Sequence, residues 1–124
     1  MKMEELLFNW IKQVSDNCPP GMEAKAINIG IFETESGYSM YLTGSQVYDT
    51  DDDDWVLDVD YEPNPSLKYL EIPQVLATGI KWDEILVNVQ SALKMIIERH
   101  DNLEILKNRV ITTGFDDGEL MRIV

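Results

Sequence analysis

The chain has 124 residues, enough for one domain around one hydrophobic core and too few for two. At 44% hydrophobic and 27% charged it has a globular composition, and its apolar residues are spread too widely for extended disorder. The formal net charge of −13 argues against nucleic acid and anionic membrane as partners and suits a basic protein or a cation.

Cys18 is the only cysteine, so no intrachain disulfide can form, which fits a reducing compartment. The start, Met1-Lys2-Met3-Glu4-Glu5, is acidic where a signal peptide would be basic and then apolar. No apolar run approaches the roughly 18 residues of a membrane helix. The expected location is the cytoplasm.

Residues 3–16 read as an amphipathic helix, with Leu6, Leu7, Trp10, Ile11 and Val14 at helical spacing. Asn17-Cys18-Pro19-Pro20-Gly21 ends it, because prolines and glycine cannot continue a helix. Residues 24–34 switch to a period of two, with Ile27, Ile29 and Ile31 on one face. A turn at Glu35-Ser36-Gly37 and renewed alternation from Tyr38 to Thr43 predict a hairpin over 24–48, with Gly44 marking a bulge or bend.

The run from Asp49 to Asp54 predicts a loop, since adjacent aspartates repel and favour neither helix nor strand. Trp55, Leu57, Val59 and Tyr61 alternate with Val56, Asp58 and Asp60, which predicts a third strand. Pro63 to Ser66 is a turn, Leu67 to Ile72 a short extended segment, and Gln74 to Lys81 a connection. Trp82 to His100 is a second amphipathic helix carrying Ile85, Val89, Leu93, Ile96 and Ile97, with Asp101-Asn102 closing it. Leu103 to Lys107 is a further short turn. Arg109 to Phe115 and Glu119 to Val124 are strands joined by a tight turn at Asp116-Asp117-Gly118. The expected fold is a single α+β domain over residues 1–124: an antiparallel sheet of four to five strands with two helices on one face.

Eight of the fourteen residues from Asp49 to Glu62 are carboxylates, and no Lys or Arg lies between Lys25 and Lys68. Clustered like charge opposes folding, so it points to a use. The candidate partner-binding residues are Asp49, Asp51, Asp52, Asp53, Asp54, Trp55, Asp58, Asp60, Tyr61 and Glu62, joined by Asp116 and Asp117 if the final hairpin lies beside the aspartate run. Trp55 is a core residue or a partly exposed anchor. Trp10 and Trp82 lie on helical stripes and are expected in the core.

A cation loop is the main alternative. Asp49, Asp51, Asp53 and Asp60 fall at liganding positions 1, 3, 5 and 12 of a calcium loop, but Asp54 stands where the turn glycine belongs. A structural domain whose charge serves solubility is the other. Catalysis has little support. Asp58 and Asp60 make the best carboxylate pair, yet in an exposed loop water would screen them. The one His, His100, sits at a helix end, and Cys18 has no local base. Gly30 and Gly37 lead into a strand, not a phosphate-binding helix, and zinc spacing is impossible with these counts. No metal, cofactor or catalytic residue is expected.

The patches Tyr41-Leu42-Thr43-Gly44-Ser45, Tyr48-Asp49, Asp54-Trp55, Asp60-Tyr61-Glu62-Pro63 and Tyr69-Leu70-Glu71, with the ending Thr113-Gly114-Phe115-Asp116-Asp117-Gly118-Glu119-Leu120, resemble small acidic bacterial immunity-type proteins of polymorphic toxin systems. The resemblance covers scattered parts of the C-terminal two-thirds. It implies a non-enzymatic protein that binds a cognate toxin, often through an acidic surface fitted to a basic cleft.

Overall fold

The computed structural model describes residues 2–19, 21–100 and 102–124. Its elements are α1 (Met3–Asp16), β1 (Ala26–Thr34), β2 (Gly37–Ser45), β3 (Tyr69–Glu71), α2 (Gln74–Ala77), α3 (Trp82–Arg99), β4 (Val110–Phe115) and β5 (Met121–Arg122). The fold is α+β, with one five-stranded sheet in the order β3-β2-β1-β4-β5.

The two long helices form where the apolar spacing predicts them. In α1 the stripe Leu7, Trp10, Ile11 and Val14 is buried, and Glu4 and Glu5 sit in the first turn, where the helix dipole favours negative charge. Asn17 closes the helix, its side-chain amide donating to the Gln13 carbonyl at 2.8 Å. In α3 the buried stripe is Ile85, Val89, Ala92, Leu93 and Ile96. Both stripes join one core cluster with Ile27, Ile29, Ile31, Met40, Leu42 and Ile111 of the sheet. The stop expected at Pro20 and the helix end expected at Asp101 lie outside the described residues; α3 ends at Arg99.

β1 and β2 form the expected hairpin, with Thr34 opposite Gly37 and Ala26 opposite Ser45. The sheet is not purely antiparallel, because β1 pairs with β4 in parallel, Ile27 facing Ile111 and Gly30 facing Gly114. The cause is the route of the chain. After β2 it passes through β3, α2 and α3, and α3 returns it to the end of the sheet where β1 starts. There Val110 N–H donates to the Lys25 carbonyl at 2.9 Å.

Four further expectations are corrected. The predicted third strand, Trp55 to Tyr61, is a short 3-10 turn, Asp53–Leu57, followed by irregular chain. Only Tyr61 pairs, as an isolated bridge to Gly44. The alternation there marks no buried face: Leu57 is 76% exposed. Gln74 to Ala77, expected as plain connection, makes one helical turn, so the α-helices among the described residues number three. The final strand shrinks to Met121–Arg122, although Ile123 N–H still donates to the Ile111 carbonyl at 2.7 Å. Trp82 is 55% exposed and not core. As the first residue of α3 it overhangs the core and meets Phe115 edge-on, with ring centroids 5.8 Å apart.

Two side chains tie the loops to this frame. Trp10 Nε1 donates to the Leu67 carbonyl at 2.8 Å. The Arg109 guanidinium donates to the carbonyls of Met22 at 2.8 Å, Ala24 at 2.9 Å and Glu104 at 2.6 Å. No described helix is long and apolar enough to cross a membrane.

Trp10→Phe keeps the buried ring but leaves the part-buried Leu67 carbonyl without its donor. Urea unfolding should show a loss of about 1–3 kcal/mol.

Candidate functional site

Strand alternation gives the sheet two faces. The isoleucines of β1 meet the helices, while Asn28, Gly30, Tyr41, Thr43, Ser45, Thr112 and Gly114 fall on the opposite face. Asn28, Ser45 and Thr112 are buried there. Thr112 Oγ1 donates to Asn28 Oδ1 at 2.9 Å. No long helix lies over this face; the acidic segment does.

That segment is folded by its own carboxylates. Asp51 N–H donates to Asp49 Oδ1 at 2.9 Å, and Asp54 N–H donates to Asp52 Oδ1 at 2.9 Å. These are two Asx-turns in succession, which is why a chain of aspartates coils here instead of extending. Trp55 then buries its ring edge-on to Tyr48, with centroids 5.3 Å apart. Trp55 is no part of the main core cluster. It anchors the loop to the helix-free face, where Ser45 Oγ donates to its carbonyl at 3.4 Å. Arg122 of β5 lies 5.6 Å over the Tyr48 ring and closes the stack from the far edge.

The loop reaches across to the C-terminal hairpin, where Leu120 N–H donates to Asp53 Oδ2 at 3.1 Å. The turn after β4 forms as expected, with Gly118 N–H donating to the Phe115 carbonyl at 2.9 Å. From this turn Asp116 accepts a 2.5 Å hydrogen bond from the Tyr41 hydroxyl. Tyr41 lies flat across Gly30, where any Cβ would overlap its ring. Gly30 is thus required for close approach. Burial, then the hydrogen bond it donates to Asp116, hold the Tyr41 phenol well above the usual tyrosine range.

The result is a cleft of about 230 Å³ between loop and hairpin, lined by Asn28, Tyr41, Asp53, Asp54, Leu57 and Asp116. Two acidic groups more than sixty positions apart in the sequence share it. Its carboxylates are exposed, and Leu57 is exposed beside them. Such a surface suits a cationic side chain with an apolar stem.

The remaining candidates divide. Asp49, Asp52, Asp54, Trp55 and Asp58 line a second, shallower hollow on the outer side of the loop. Asp51 and Asp117 are exposed at turns. Asp60 is occupied locally, its Oδ2 accepting from Gln46 N–H at 2.7 Å. Glu62 pairs with Lys68 at 3.7 Å. Tyr61 packs half-buried against the main core, and burial raises its phenol pKa, so it is no exposed anchor. Asp58 and Asp60 lie on no common strand. Among the described residues, no group of three or more His, Cys, Asp or Glu side chains is placed to hold a metal ion.

Tyr41 and Asn28 line the cleft without belonging to the acidic run that marks it in the sequence. The alternation that puts Tyr41 opposite Gly30 is the one signal that could have found it. Periodicity assigns Trp82 to a core stripe, whereas its place at the first position of α3 leaves it exposed.

Tyr41→Phe keeps the ring on Gly30 and frees Asp116. At neutral pH it should cost about 1 kcal/mol in urea unfolding. The raised phenol pKa favours the neutral form in the folded state. Its contribution is complete below the unfolded value of about 10 and is lost as pH rises through the folded value. Stability of the parent chain should therefore fall above about pH 10, and the slope should flatten in the phenylalanine variant. As for relatives, no family model matches the chain, and neither the curated proteins nor the solved structures provide a match.

Proposed function

We propose that this chain is a non-catalytic, cytoplasmic binding protein of immunity type that neutralises a basic protein partner, such as a secreted toxin domain, through its acidic surface. One observation carries the reading: the aspartate loop and the Asp116-Asp117 turn meet over one cleft on the helix-free face. Folding alone does not call for two like-charged groups to be brought together, because their repulsion opposes it. The resemblance to immunity-type proteins supports the same role. The segment from Asp49 to Asp60 is less suited to a cation, since Asp49, Asp52, Asp53 and Asp60 each accept from a backbone N–H. A hard cation needs several such oxygens turned to one point.

On this reading Asp51, Asp54 and Asp117 steer the partner, while Asp53 and Asp116 hold the cleft in shape. Complementary charge mainly raises the association rate and selects the partner. The test takes the basic C-terminal domain of a large secreted protein encoded beside this chain. The combined variant Asp51→Asn, Asp54→Asn and Asp117→Asn removes three charges whose side chains cap no described backbone group. Its association rate at low salt should fall about tenfold, and the salt dependence should flatten. An unchanged rate with unchanged salt dependence would overturn the reading.

A further inference from the structure

We infer that a second cleft, at the end of the sheet where β1 and β4 begin, binds a small phosphate monoester. It measures about 530 Å³, and its walls include Lys25, Lys107, Arg109, Arg122 and His100. Four of the chain's ten Lys and Arg residues and its single His thus converge on one concavity. Acidic residues outnumber basic ones 23 to 10 in this chain, yet among the described residues no Asp or Glu side chain lines this cleft. The three ion pairs among the described residues join Lys12 to Asp16, Lys68 to Glu62 and Arg99 to Glu4, and none involves these four cations.

Arg109 supplies a fixed charge. Its guanidinium is satisfied in hydrogen bonds by the carbonyls of Met22, Ala24 and Glu104, but it forms no ion pair with a carboxylate of the described residues. Lys25 and Lys107 are exposed around it and free to close on an oxyanion, while Arg122, also exposed, rests over the Tyr48 ring at the rim. Lysine and arginine form short, charge-assisted hydrogen bonds to phosphate oxygens. The cleft also has an apolar wall, from Ile97, Leu103 and Val110, which suits the organic part of an ester. Its volume falls within the roughly 300–1,000 Å³ common for small-molecule sites. The net charge of −13 repels anions at long range, but beyond about 10 Å that field is screened at ordinary ionic strength, and the local cations dominate.

The test is a ¹H–¹⁵N NMR titration of the full chain with phenyl phosphate, inorganic phosphate and phenol. Phenyl phosphate should give saturable shifts confined to Lys25, Ile97 to His100, and Lys107 to Val110. It should bind more tightly than inorganic phosphate, and phenol should give no such shifts. Lys25→Gln with Lys107→Gln alters two exposed side chains, so the melting temperature should hold while affinity falls about tenfold. Lys12→Gln, on the exposed side of α1, should leave affinity unchanged. Shifts that are absent, that spread equally to Lys12 and Lys68, that phenol reproduces, or that survive the double substitution would each overturn the site.

Discussion

The central strand β1 must be covered on both sides, and the long helices cover only one. This constraint shapes the molecule. Residues 26–31 are buried throughout, so the face carrying Asn28 and Gly30 has to be closed by something other than α1 and α3. The closing piece is the most highly charged segment of the chain. Its Trp55 and Tyr48 provide the apolar contact, and its aspartates remain outside. Burying that aromatic pair offsets the repulsion among carboxylates held in one loop. The acidic surface is therefore part of the architecture and not a decoration of it.

Charge in this molecule is sorted as well as abundant. The aspartate loop and the final turn gather carboxylates over the outer part of the helix-free face. The start of β1 and β4 gathers cations around Arg109. Several acidic groups also satisfy backbone N–H groups, as Asp49 and Asp52 do, which recovers part of the electrostatic cost. Both exposed sheet edges are short, three residues in β3 and two in β5. Neither edge offers an added strand much backbone to pair with.

Local order was legible in the sequence where a period could be read within one segment. α1, the hairpin of β1 and β2, and α3 follow from such periods, as does the tight turn before β5. The alternation from Trp55 to Tyr61 misled, because acidic and apolar residues alternate there on an exposed coil held by Asx-turns. The hairpin-rich pattern predicts antiparallel order for β4, but strand direction is set by the route through α3. The acids of the candidate site were visible as a run. The Tyr41–Asp116 contact and the gathering of Lys25, Arg109 and Arg122 were not, because each joins residues far apart in the chain.

The pairing of β1 with β4 has a consequence for how the protein is made. Their partner residues, such as Asn28 and Thr112, stand 84 positions apart. During synthesis the central strand emerges well before β4 and pairs first with β2, which follows it directly. Its other edge stays open until β4, 84 positions further on at Thr112, has left the ribosome. Non-local closure of this kind slows folding and leaves an unpaired strand edge exposed in the meantime. The acidic segment, emerging between the two partners, keeps the incomplete chain strongly charged through that interval and discourages it from meeting its own kind.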